Sequence, residues 1–177
     1  MTDVRTVHTA DLTDGERTAI RELLTGAFPG GFEDTDWEHT LGGIHATVWE
    51  GGEPTAHGAV VQRRLLHAGR ALRAGYVEGV AVREDRRGQG HAAVVMAKLE
   101  DVVRRAYDLG ALSSAGGVAG FYAARGWKRW EGRSCVLAPS GIERTPDDDG
   151  SLHVLEAGAA LDVSGVLVCD WRDGDVW

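Results

Sequence analysis

The sequence has only two cysteines, Cys135 and Cys169. Two cysteines make no disulfide framework, and no CxxC or CxxxC spacing points to a metal site. Free buried thiols are the expectation, with a chance bridge as the alternative. No apolar run approaches the roughly 18 residues that a membrane span needs. The opening stretch, MTDVRTVHTADLTDGERT, is too charged for a signal peptide. These absences predict a cytoplasmic protein with no membrane partner. No Gly-Lys-Ser/Thr occurs, which excludes a Walker loop, and the dinucleotide GxGxxG fingerprint is also missing. There is no repeat, low-complexity tract or clear linker. The 177 residues therefore predict a single domain over 1–177 with one sizeable core.

The net charge of −8 is unevenly spread. Residues 1–59 carry 3 basic and 11 acidic groups, and residues 143–177 carry 2 and 9. Residues 60–110 carry 10 basic and 6 acidic groups, and residues 111–142 carry 4 and 1. Acidic flanks repel nucleic acid. A basic middle suits an anionic cofactor, and acidic flanks suit a cationic substrate. Most of these charges simply solvate a surface.

The apolar patterning alternates between strand and helix. VRTVHTA (4–10) reads as a first strand. DLTDGERTAIRELLTGAF reads as a helix capped by Thr13 or Asp14, with Ile20, Leu23 and Leu24 on its apolar face. The acidic, turn-rich segment 29–43 reads as a loop or irregular helix. IHATVWE (44–50), TAHGAVVQRRLLHAG and RALRAGYVEGVAV (70–82) predict an antiparallel meander. A helix follows from His91, with Gly110 as its end. ALSS (111–114) is a short buried strand, and GGVAGFYAARGW a short helix closing at Gly126. KRWEGRSCVLAP is a further strand, RTPDDDGS an exposed turn, and LHVLEA and SGVLVCDW late strands. The order predicts an α+β domain with a mixed, mostly antiparallel sheet, helices beside it and extra C-terminal strands.

The informative junction is VAVREDRRGQGHAAV (80–94). A strand runs through a turn into a helix, and Arg87-Gly88-Gln89-Gly90-His91-Ala92 occupies the helix start. Glycines allow backbone N–H groups close to an anion. A helix N-terminus adds unpaired donors and the positive end of a dipole. Arg86 and Arg87 add charge. This is the outline of a pyrophosphate seat.

RGQGHA resembles the R/Q-x-x-G-x-G/A signature of the Gcn5-related N-acetyltransferases, the GNAT family. FYAARGW, some thirty residues later, is similar to that family's second cofactor helix. TDWEHTLGGIHA, GYVEGVAVREDRRGQG, YDLGALSS, RTPDDDG and CDWRDGDVW together resemble the aminoglycoside 2′-N-acetyltransferases of actinobacteria. With VHTADL the resemblance covers nearly the whole chain.

The resemblance implies the GNAT fold, acetyl-CoA as acetyl donor, and transfer to a sugar amine. Such an amine must lose a proton before it attacks, and the oxyanion that forms needs donors. The resemblance implies that Glu78 is the base, acting through water, and that Tyr122 protonates the departing thiolate. A surface glutamate and a core tyrosine are the plainer readings of those residues. Val80, Ala81 and Val82 would pair with the pantetheine arm as an added strand, with the Val80 N–H facing the acetyl carbonyl. Arg87, Gly88, Gln89, Gly90, His91 and Ala92 would hold the pyrophosphate, and Gly117 and Tyr122 would complete the cofactor site. Asp36, Glu78, Gly79, Ser113, Asp147, Asp148, Asp175 and Trp177, with its terminal carboxylate, would bind the substrate, since a polycation requires several carboxylates. The plainer reading of the three consecutive aspartates is a solvated turn.

Two departures from relatives stand out. AGGVAGFY is glycine-rich where relatives carry arginines, and Gly31 replaces an aspartate for which Glu33 or Asp34 could compensate. His39, His45 and His57, spaced 6 and 12 apart on different elements, are a poor metal-ligand set and read as polar or packed histidines. No metal is expected. Relatives imply a homodimer built from the late strands. Three activities are compatible with the chain. The first is 2′-acetylation of aminoglycosides, conferring resistance. The second is acetylation of another cationic amine or cellular amino sugar. The third is a non-catalytic acyl-CoA-binding module, which Glu78 and Tyr122 disfavour.

Overall fold

A computed structural model describes residues 2–114 and 116–177. Ala115, which opens the phrase AGGVAGFY, lies outside the described residues. The fold gathers into two compact units, Met1–Val61 with Val77–Val102, and Gln62–Tyr76 with Val103–Trp177.

In the first unit, β1 (Thr2–His8) pairs antiparallel with β2 (Ile44–Glu50), which pairs antiparallel with β3 (Glu53–His67). Helix α1 (Asp14–Ala27) starts where its capping residue predicts. The Thr13 hydroxyl accepts from Glu16 N, and the Glu16 carboxylate accepts from Thr13 N, which closes a capping box. Its inward face brings Ile20 and Leu24 to Leu12, Trp37, Trp49 and Ala81 in a shared core. The acidic segment resolves into a short helix, α2 (Asp34–Glu38). Strand β4 (Arg70–Val82) leads through one 3-10 turn, Glu84–Arg86, to helix α3 (His91–Ala106). The absent side chain of Gly58 lets β3 approach α3. A Cβ there would lie 2.8 Å from Val95 Cγ1 and 2.9 Å from Leu99 Cδ1.

In the second unit, the ends of β3 and β4 form a hairpin through Ala68 and Gly69. Both take positive φ, 49° and 74°, as a type I′ turn requires. Strand β5 (Leu109–Ser113) pairs parallel with β4 from Ala74↔Leu109 to Tyr76↔Ala111. The remaining elements are α4 (Ala119–Ala123), β6 (Lys128–Arg129), β7 (Ser134–Ala138), β8 (Gly141–Arg144), β9 (Leu152–Glu156) and β10 (Leu167–Asp170). The strand order is β6-β9-β5-β4-β3-β10-β7-β8. The β4–β5 and β7–β10 pairs are parallel among mostly antiparallel neighbours, which gives the mixed sheet that the patterning predicts.

Several boundaries differ from those read in the sequence. Gly110 does not end α3, which stops at Ala106; it lies inside β5. A Cβ on Gly110 would sit 2.9 Å from the Trp127 ring and 3.1 Å from Val103, so packing of a strand is what this glycine serves. KRWEGRSCVLAP divides into β6 and β7, because the chain at Gly132 passes directly under the backbone of Ser164 and Gly165. RTPDDDGS is partly ordered: Arg144 ends β8 and Pro146–Asp148 form a 3-10 turn. Both cysteines are free and buried. Burial pushes the Cys169 thiol up to about 12.

Candidate functional site

The predicted cofactor residues lie in the first unit, except Gly117 and Tyr122, which lie in the second. Beyond Tyr76, where the β4–β5 ladder stops, β4 continues through Glu78, Gly79, Val80, Ala81 and Val82. Glu78 and Val80 are half-buried and Ala81 is buried. Gly79 has a φ of 56°. A Cβ there would meet Thr40 Cγ2 at 3.3 Å and Leu24 Cδ2 at 3.4 Å, so the position asks for glycine on both counts.

In the loop, Gly88 and Gly90 take φ of 75° and 84°. Neither has an atom within 4 Å of where its Cβ would be. Backbone conformation demands these glycines, and open space lies beside them. The Gly90 carbonyl accepts from Val94 N at 3.1 Å, which makes Gly90 the cap of α3. The N–H groups of His91, Ala92 and Ala93 then have no acceptor within the helix. The His91 ring is held by Thr55 Oγ1 at 3.2 Å and lies 3.6 Å from Glu50 Oε1. Arg86 is tied to Glu50 at 2.8 Å. Arg87 is exposed and reaches Val82 O only at 3.5 Å. Gln89 reaches back to Asp85 O at 3.3 Å. Open glycines, a helix N-terminus and an outward guanidinium fit a phosphate-bearing group.

Asp36 has a local task. Its carboxylate accepts from Glu33 N at 2.8 Å and caps α2. Asp34 is paired with Arg21, so of the two acids that could stand in for Gly31, Asp34 is engaged elsewhere in its own unit. Gly31 itself is exposed. A cavity of about 510 Å³ in this unit, lined by Glu22, Leu23, Glu53, Pro54, Arg83 and Glu84 among others, contains none of the predicted site residues.

The second unit holds the others. Tyr122, on α4, is buried between the rings of Phe121 (5.2 Å), Trp127 (6.2 Å) and His153 (5.6 Å). Burial raises its pKa, so the phenol keeps its proton at neutral pH. Gly117 is exposed with a φ of 95° and empty space beside it. Ser113 Oγ lies 3.2 Å from Ser151 Oγ, whose hydroxyl donates to Asp148 O at 2.8 Å.

The acids of RTPDDDG are not equivalent. Asp149 accepts from Ser134 N at 2.9 Å and Ser134 Oγ at 2.7 Å, and is bridged by Arg144 at 2.6 Å. These contacts hold its carboxyl well below the usual range, the Arg144 hydrogen bond most of all. Asp148 moves the other way. Burial raises its pKa, and the negative charge of Asp175 raises it further. Asp175 in turn accepts from Trp177 N at 3.2 Å. Trp177 is buried, and its indole donates to Thr145 Oγ1 at 2.9 Å. The charge of Asp175 thus acts on Asp148, while Asp147 is exposed.

Sequence reasoning missed a buried chain in the first unit, Thr9–His45–His57, that ends on the Gly79 carbonyl. The signal was in the hairpin register. His45 opposes Ala59 and His57 opposes Thr47, which makes the two histidines diagonal neighbours on one face. His153, against Tyr122, was missed as well.

The chain matches the acetyltransferase (GNAT) domain model over residues 8–130. It is 54% identical over 177 residues to the aminoglycoside 2′-N-acetyltransferase of Mycolicibacterium fortuitum, covering 98% of this chain and 91% of that protein. The chain belongs to the GNAT acetyltransferases. Solved structures of the family agree with the fold. An acyl-CoA N-acyltransferase from Pseudomonas aeruginosa superposes with a TM-score of 0.63 at 17% identity, covering 88% of this chain and 99% of that one. A GNAT acetyltransferase from Brucella melitensis, in complex with acetyl-CoA, gives 0.62 at 16% identity, covering 94% of each chain. As a GNAT enzyme the chain is an acyltransferase, and no described helix is long and apolar enough to cross a membrane.

Proposed function

We propose that this GNAT enzyme acetylates the 2′-amino group of aminoglycosides, using acetyl-CoA, and so confers resistance. The likeness to the M. fortuitum enzyme along 98% of the chain carries the reading. The pairing of Asp148 with Asp175 supports it, because two repelling carboxylates gain most from an ammonium group between them. Arg87, Gly88, Gln89, Gly90, His91 and Ala92 would hold the pyrophosphate, with Gly117 and the backbone of Val80, Ala81 and Val82 along the rest of the cofactor. Acetyl-CoA supplies an activated acetyl group with a thiol as leaving group. Glu78 takes a proton from the amine through water. The Val80 N–H donates to the oxygen that gains charge. Tyr122, protonated at neutral pH, gives its proton to the departing sulfur. Asp36, Gly79, Ser113, Asp147, Asp148, Asp175 and Trp177 would bind the substrate. The enzyme would act in the cytoplasm, without nucleic acid or membrane, as a homodimer.

The test is CoA release with tobramycin, which carries a 2′-amine, beside amikacin, which carries a 2′-hydroxyl. Turnover with tobramycin and little with amikacin is expected. No turnover with either would shift the substrate to another cationic amine. Equal turnover would place the reaction at a different nitrogen.

A further inference from the structure

The chain from Thr9 to Gly79 has a direction that its chemistry fixes. Thr9 Oγ1 lies 2.7 Å from His45 Nε2, His45 Nδ1 lies 2.9 Å from His57 Nε2, and His57 Nδ1 lies 2.8 Å from Gly79 O. Both rings are fully buried, and burial holds His45 down to about 4 and His57 to about 3, so both are neutral. A carbonyl can only accept. His57 therefore carries its proton on Nδ1 and accepts at Nε2. His45 must then donate from Nδ1 and accept at Nε2, where the Thr9 hydroxyl donates. The longer contact from Thr9 Oγ1 to Gly43 O, 3.2 Å, is left as the weaker one. Every proton points toward Gly79. A carbonyl has no proton to hand on, so this is not a conduit. It is a device that grips one carbonyl.

That carbonyl shares a planar trans peptide with the Val80 N–H, since no cis peptide bond occurs among the described residues. In a trans peptide the C=O and N–H point in opposite directions. Gripping Gly79 O on the buried side therefore aims the Val80 N–H away from the histidines. A donor on the oxygen also polarises the peptide and strengthens the N–H. The grip falls beside Gly79, whose left-handed backbone would otherwise be free to turn, glycine having no side chain to restrain it.

We propose that His57, set by His45 and Thr9, is a positioning residue that orients and polarises the Val80 N–H for acetyl transfer. The proposal rests on the reading of Val80 N–H as the donor to the acetyl oxygen.

Two experiments test it. The first is a two-bond ¹H–¹⁵N correlation spectrum of histidine-labelled protein at pH 7, with signals assigned through His45→Gln and His57→Asn. Both rings are expected neutral with the proton on Nδ1. A proton on Nε2 of His57, or a cationic ring, overturns the grip whatever the enzyme's activity. The second compares kinetics. His57→Leu is expected to lower kcat about tenfold with KM for acetyl-CoA unchanged, a share of the loss seen when an oxyanion donor is removed. His57→Asn, which keeps a donor near the place of Nδ1, should recover much of it. An unchanged kcat in His57→Leu overturns the proposal. If that variant does not fold, Thr9→Val takes its place: it leaves His45 Nε2 without its donor, weakens the chain behind His57 and should lower kcat, and an unchanged kcat overturns the proposal. Glu78→Gln serves as the control. If it too leaves kcat unchanged, the site assignment has failed, while the tautomer result still reports on the grip.

Discussion

Three consecutive acids show how far one residue can differ from the next. Asp149 braces the chain: its carboxylate accepts from Ser134 N and Ser134 Oγ and pairs with Arg144, and Ser134 is fully buried. The Asp148 carboxylate meets the Thr145 side chain and no guanidinium holds it low; its pKa is raised by burial and by Asp175. Asp149→Ala strands the buried Ser134 N–H, while Ser134 Oγ keeps the Thr145 carbonyl as its acceptor, a loss of about 1–3 kcal/mol. The expected result is a fall of several degrees in melting temperature with aminoglycoside KM near that of the parent. Asp148→Asn should do the reverse, leaving the melting temperature equal or higher and raising KM about tenfold. Thermal scans and initial rates on the two variants check both. Equal behaviour of the pair would refute the division of labour.

The element that matters most is the turn from β4 into α3. Its proposed role rests on local chemistry, since glycines 88 and 90 hold positive φ and α3 starts with N–H groups that have no acceptor within the helix. Valine at position 90 would be forced into a region that β-branched residues avoid. Gly90→Val should therefore raise the Kd for acetyl-CoA at least about tenfold, a little over 1.4 kcal/mol, with the core intact. Calorimetric titration measures it, and an unchanged Kd would show that the loop is not the phosphate seat. At this scale the sequence was legible wherever a local signal existed. Of the two caps read for α1, Thr13 and Asp14, Thr13 serves, and β4 spans the predicted 70–82. It was not legible at Gly110, where a residue that suits a helix end serves strand packing against Trp127 instead.

Across the whole molecule, the pair His45 and His57 ties stability to pH. Burial lowers both, the charges of His8 and Arg17 add to the effect on His45, and His45 adds to that on His57. Unfolded, both would titrate near ~6.5. Above that pH neither state holds the extra protons, and stability is at its full value. As pH falls from ~6.5 toward 4, the unfolded chain takes up protons that the folded chain refuses, so stability declines. Carboxylates held low in the fold, such as Glu16 and Asp149, act only further down, below the unfolded carboxylate range. The urea midpoint should drop between pH 7 and 5. A double variant, His45→Gln with His57→Asn, should start lower but follow a flatter line through that window. Parallel lines would show that the histidines do not set the slope.

The sequence by itself determined the family, the glycine loop ahead of α3 and the elements with strong periodicity, because a loop of glycines before a helix works through its own backbone. It also put Glu78 shortly before that loop, since both lie on one stretch of chain. Only the tertiary structure decided which acids are engaged. Asp34 is taken by Arg21 and Asp149 by Ser134 and Arg144, whose positions lie on other helices and strands, whereas Asp36 caps its own helix. The same holds for the histidines. Twelve residues apart, they mean little until the β2–β3 register sets them on one face, where two neutral rings can meet only with their protons in line.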